Sequence, residues 1–327
     1  MTDILQSCGV ELVKSKTPVL HTSAALFRFK LGQAISKDSA TAGQVGDLVD
    51  QLLESHDDIA LYLDPVTMAS AEDASSAHPG MSLAQPESLI RLMLGVDSLQ
   101  PRLIRTLLEK FPEFIGDEGA KEHLGETKTS IKILRQLRWL DYIVDSSELT
   151  EKLLETLGFV PPDMQSEIIS ALPDIISDSD SGQVSKVLAL MLKETPELML
   201  PILETMGSLE CSPALLTDAR NSVITHLVSA EPLDLPVMVK FLLQSGSSEN
   251  SMAIIQRVRR RLDMESIVLA SRQMAKSAAT DDQAPDVLIF DVITTSLRSH
   301  KHLRDAWLKI AAADDEEVGP QTTLDIV

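Results

Sequence analysis

The sequence predicts an all-α protein, an α-solenoid of divergent HEAT- or armadillo-like helix pairs, and three observations carry that prediction. Apolar residues recur at three- and four-residue steps along most of the chain, which marks one buried face per helix. Strand-like alternation is almost absent. Prolines punctuate the chain at helix entries, because the N–H that proline lacks has no partner in a first turn. These starts are Pro86, Pro101, Pro161, Pro162, Pro173, Pro196, Pro213 and Pro236. Helices joined by short turns into pairs of about 30–45 residues are what stacked repeats produce. No strict sequence repeat is visible, so the units are divergent. A compact multi-helix bundle is the competing architecture. The lack of an all-round apolar central helix favours the solenoid.

Taken in order, residues 1–63 form an N-terminal helical region, and 64–85, rich in Ala, Ser, Asp and Pro, read as a loop. Residues 86–270 form the solenoid core, interrupted by a polar, glycine-containing loop over 116–127. Ser212 before Pro213 and Thr195 before Pro196 supply capping side chains. Residues 271–285 are small and polar and read as a flexible linker, 286–313 as a further helical pair, and 314–327 as an acidic tail. Trp307, Leu308 and Ile310 leave an apolar face in the last helix with little sequence after it to cover it. That predicts either a continuing array, with the tail as a fragment end, or a partner.

The chain has 327 residues, 44% of them hydrophobic and 24% charged, as a folded protein has. Its 49 acids and 29 bases leave a net charge of −20. Nucleic-acid affinity comes from neutralising phosphates, so any such contact must be a local basic stripe or come from elsewhere in an assembly. Two such stripes stand out. Lys128, Lys132, Arg135 and Arg138 step by four, three and three and share one helix face opposite the apolar one. Arg257, Arg259, Arg260 and Arg261 form the densest cationic cluster. Both are candidate phosphate or partner contacts, and a solvated helix face is the plain alternative for each. Neither carries the interleaved aromatics that single-strand stacking uses.

No catalytic, cofactor or metal arrangement is recognisable. The histidines are His21, His56, His78, His123, His226, His300 and His302, none in ligand spacing. A two-residue step points His300 and His302 to different sides of a helix. No phosphate-binding loop or nucleophile elbow occurs. Cys211 has no basic neighbour to lower its pKa, and Cys8 lies too far along the chain to suggest a disulfide framework. No apolar run is long enough to cross a membrane, and the N-terminus has no signal-peptide pattern.

One run is distinctive. Gln136-Leu137-Arg138-Trp139-Leu140-Asp141, followed by Val144-Asp145 and Leu149-Thr150, holds one of only two tryptophans. With Ile131, Leu134 and Ile143 it reads as one apolar helix face anchored by Trp139, so that Trp139→Ala should cost about 3–5 kcal/mol. The run resembles the N-terminal solenoid of the Fanconi anaemia group D2 family. Colinear segments agree: Ser88 to Asp97, Glu109-Lys110-Phe111-Pro112-Glu113, Ile168 to Ile175, Asp234-Leu235-Pro236-Val237, Ile289 to Ile293 and Ala306-Trp307-Leu308-Lys309. Cys8-Gly9-Val10-Glu11 resembles the first helix start of that family.

The resemblance implies a non-enzymatic nuclear scaffold of DNA interstrand-crosslink repair. Such a protein pairs with the Fanconi anaemia group I paralogue, clamps duplex DNA and accepts ubiquitin from ubiquitin-ligase machinery. The sequence departs from the family in three places. Ser179 is followed by Asp180 where relatives often carry Ser-Gln, which leaves an acid-directed kinase as the candidate for phosphorylation of Ser179. No position matches the ubiquitin acceptor lysine, and no basic leader precedes Met1. The rival class is an acidic adaptor or karyopherin-like transport solenoid, which would bind basic peptides and show no preference for the paralogue. An α-helical hydrolase would need an acid–base pair that cannot be named.

Overall fold

The computed structural model describes residues 2–12, 16–37, 39–69, 87–118, 128–138, 140–277 and 284–312. Seventeen α-helices and three two-residue strands occur among them, and the fold is the all-α arrangement of paired helices expected. The chain divides into two compact units, 1–180 and 181–327.

The first unit opens with α1 (Thr2–Cys8), β1 (Val10–Glu11), β2 (Val19–Leu20), α2 (Ala24–Lys37), α3 (Ser39–Leu52), α4 (His56–Tyr62) and β3 (Thr67–Met68). Cys8 and Gly9 therefore end a helix rather than start one. Gly9 takes φ +100°, a left-handed conformation that closes α1, and Thr22 packs where a β-carbon would stand. β1 and β2 pair antiparallel, Val10 opposite Leu20, and β3 adds in parallel, Val19 opposite Thr67. A strand thus falls inside the segment expected to be loop. Its two residues are too few for alternation to register.

The unit continues through α5 (Leu89–Leu94), α6 (Gln100–Glu118), α7 (Thr129–Arg138), α8 (Ser146–Leu157) and α9 (Pro162–Ile175), then a 3-10 turn, Asp178–Asp180. α5 is buried on every side except at Arg91. The chain therefore does contain an all-round apolar helix, and its six residues are too short for a period to show. Helices α6 and α8 pack side by side, as do α7 and α9. Gly46 in α3 has no side chain, so Arg102 can cross that helix and donate through Nε to Asp50 (3.2 Å). Pro173 lies inside α9 instead of starting a helix. Only three residues of α9 lie at or beyond it, so the missing donor costs one late bond.

The expected helix through Ile143 stops at Arg138; Trp139 lies outside the described residues. Gln100, 2% exposed, sets the path of the chain beyond it. Its amide nitrogen donates to the carbonyls of Leu94 (3.0 Å) and Tyr142 (2.8 Å), and its oxygen accepts from the Val144 amide (2.6 Å). Asp145 then caps α8 by accepting from the Glu148 amide (2.9 Å). These bonds satisfy the backbone outside a helix, which apolar spacing cannot foretell.

The second unit contains α10 (Ser181–Glu194), a 3-10 turn (Pro196–Leu198), α11 (Met199–Ser208), α12 (Pro213–His226), α13 (Leu235–Gln244), α14 (Ser251–Arg261), α15 (Met264–Ser277), α16 (Pro285–Ser299) and α17 (Lys301–Ala312). Two rows emerge: α10, α12, α14 and α17 pack in succession, and so do α11, α13 and α16. Helix α15 runs across the boundary expected at 270/271, follows α14 in the chain, and packs on α16. Ser212 caps α12 as expected, accepting from the Leu215 amide (3.4 Å). Thr195 instead turns its hydroxyl back to the Met191 carbonyl (3.2 Å). Arg220, 8% exposed, donates to the Ser245 carbonyl (2.5 Å) at the end of α13, where a cation complements the helix dipole. Trp307 and Ile310 are buried (5% and 3% exposed), because α17 packs on α14 and α16. Leu308 is the part of that apolar face left in solvent.

Candidate nucleic-acid interface

The first basic stripe sits at α7, and acids from other elements reach it. Lys132 Nζ lies 2.7 Å from Asp64 Oδ1, and Arg138 Nε donates to Asp174 Oδ2 on α9 (2.9 Å). Lys128 and Arg135 are exposed. Half of the stripe therefore joins α7 to its neighbours. Elsewhere in this unit Arg105 donates to Glu148 (3.0 Å), joining α6 to α8.

The second cluster occupies the last two turns of α14 and does not face one way. A helix turns about 100° per residue, so four arginines within five positions spread around it. Arg259 is buried at 6% exposed, whereas Arg257, Arg260 and Arg261 are exposed. Arg257 Nη1 donates to the Asn221 side-chain oxygen (3.2 Å), and Arg261 Nη1 to the Ile224 carbonyl (3.2 Å), both on α12. Neither acceptor carries charge.

The sequence pattern singles out the apolar face of α17 but not its bases. Its exposed residues include Lys301, Arg304 and Lys309, with Asp305 as the acid among them. Because α17 packs on α14, bases some forty positions apart come onto neighbouring helices. The available signal was that Lys301 and Arg304, three positions apart, are neighbours on one helix face.

The serine run is no simple exposed turn. Asp180 is buried (7% exposed) and accepts from Ser177 (2.7 Å), Ser147 (3.0 Å), Ser146 (3.1 Å) and Thr150 (3.5 Å). Burial pushes its pKa up, but these hydroxyl bonds outweigh burial and hold it below the usual carboxylate value. Ser179 is exposed, 2.6 Å from the Ser177 hydroxyl.

Burial pushes the Cys8 and Cys211 thiols up, the latter opposed by a bond with Ser185. His300 and His302 do not diverge: their ring centroids are 5.5 Å apart. His300 sits between α16 and α17 rather than on one continuous helix. Among the described residues no three His, Cys, Asp or Glu side chains are placed to share a metal ion, and no helix is long and apolar enough to cross a membrane.

The family model described as "Fanconi anaemia protein FancD2 nuclease" matches residues 1–327. The chain belongs to the FancD2 family. It is 32% identical to the Fanconi anemia group D2 protein homolog of Mus musculus over 339 residues, covering 99% of this chain and 23% of that protein. Against the Rattus norvegicus homolog identity is 32% over 304 residues, covering 89% of the chain and 21% of the relative. Against the Gallus gallus Fanconi anemia group D2 protein it is 33% over 346 residues, covering 99% and 23%. The chain thus spans less than a quarter of the length of these FancD2 relatives.

Proposed function

We propose that this chain is the N-terminal solenoid segment of a non-enzymatic scaffold of DNA interstrand-crosslink repair in the nucleus. In its full-length form the protein pairs with the Fanconi anaemia group I paralogue on duplex DNA and is monoubiquitinated by ubiquitin-ligase machinery at a lysine outside this segment. The observation that carries this reading is the family match over residues 1–327 on an all-α fold of paired helices. Stacked pairs offer extended surfaces suited to a partner protein and a duplex.

The test is co-purification of the full-length protein with its own group I paralogue, with and without duplex DNA. A one-to-one complex that grips duplex more tightly than either subunit is the expected result. The karyopherin-like reading, favoured by the net charge of −20, predicts capture of basic peptides and no preference for the paralogue. The word nuclease in the family description is tested by incubating the same complex with duplex and branched DNA and Mg²⁺. Cleavage that co-purifies with the complex through every step would overturn the non-enzymatic part.

A further inference from the structure

We propose that α14 and α17 together form a basic ridge that holds the phosphate backbone of duplex nucleic acid. This rests on the duplex-binding part of the function proposed above and gives it a place on the molecule.

Three observations meet here. First, the local charge is inverted. Helix α14 carries four arginines and no acid, and α17 carries three Lys or Arg residues against Asp305 alone, in a chain of net charge −20. Second, packing joins the two sources: α14 and α17 are neighbours in one row, so the helix with exposed Arg257, Arg260 and Arg261 lies against the helix with exposed Lys301, Arg304 and Lys309. Packed helices set such rows about 8–10 Å apart. Third, Arg257 and Arg261 are anchored by neutral oxygens, the Asn221 amide and the Ile224 carbonyl. These acceptors hold a guanidinium in place without cancelling its charge. The nearby acid Asp263, beyond the end of α14, is occupied by the Ser266 hydroxyl (2.7 Å) and amide (3.2 Å).

The same chemistry could attract an acidic protein segment, but the surface favours phosphate. Protein partners take most of their binding energy from large side chains seated in desolvated pockets. On α14 and α17 the exposed large apolar side chains are Met252 and Leu308 alone. Phosphate contacts need only fixed cations at intervals, and they position a duplex without reading its sequence.

The experiment uses the full-length protein assembled with its group I paralogue and measures duplex affinity by fluorescence anisotropy over a salt series. Each lost phosphate contact flattens the log–log salt dependence by about 0.9. The variant Arg257→Gln/Arg261→Gln/Lys301→Gln/Arg304→Gln should therefore flatten it by about 3–4. The pair Lys301→Gln/Arg304→Gln, on α17 alone, should flatten it by about 2 and serves if the fourfold variant does not fold. Lys240→Gln, exposed on α13 in the other row, should change nothing. An unchanged slope in folded ridge variants would overturn the ridge and leave the proposed function standing. Failure of the unmodified complex to bind duplex would overturn both. Loss of binding to polyglutamate with duplex binding intact would reassign the ridge to an acidic protein and overturn its assignment to nucleic acid.

Discussion

At α7, Lys132 and Arg138 meet the carboxylates of Asp64 and Asp174, which arrive from other elements of the first unit. At α14, Arg257 and Arg261 meet an amide oxygen and a backbone carbonyl. Both stripes carry four cations on a short stretch, and in sequence they look alike. The partners separate them. In a chain with 49 acids, a base keeps its charge for outside use only where the fold keeps acids away. A stripe whose acids come from distant segments has become part of the packing.

The contrast can be strained hardest inside α14. Arg259→Ala removes a long side chain that is 6% exposed and should cost about 2–3 kcal/mol, through lost packing as much as lost charge. Exposed Arg260→Ala should stay within about 0.5 kcal/mol. Denaturant unfolding of the two variants measures both, and equal losses would mean that the cluster is not divided between core and surface.

The next effect comes from an acid held by hydroxyl groups. Asp180→Ala strips a buried carboxylate from its serine and threonine donors and should cost about 1.5–3 kcal/mol, the range for hydrogen bonds to charged groups. Because the folded pKa of Asp180 is held low, its contribution is fully present above the unfolded value, about 3.9, and fades as pH falls through the folded value. Stability of the Asp180→Asn variant should therefore fall less steeply on acidification than that of the unmodified protein. Parallel acid limbs would contradict the lowered pKa.

The smallest effect sharpens the comparison from the α7 side. Asp64→Asn and Asp174→Asn should each cost no more than about 1 kcal/mol, since both pairs are partly exposed and screened. Each frees a base. The double variant should elute later from immobilised heparin at low salt, and unchanged elution would mean that pairing is not what silences this stripe.

The helix faces and most helix starts were readable, because period 3.6 and a leading proline act locally. Pro162, Pro196, Pro213 and Pro236 all stand in first turns. What escaped was tertiary. Gln100 diverts the chain after α7 by bonding Tyr142 and Val144, more than forty positions away. Asp64 and Asp174 reach α7 from segments whose packing no spacing announces. The bases of the candidate interface were half visible: α14 is dense in arginine, whereas α17 gains meaning only once it lies against α14.

Helix α15 has a consequence of another kind. The rows of the second unit close without it, α13 on α16 and α14 on α17. The contacts by which these pairs meet therefore do not run through α15, which lies between α14 and α16 in the chain. A fluorescent reporter spliced beside α15 would therefore leave both of those contacts in place.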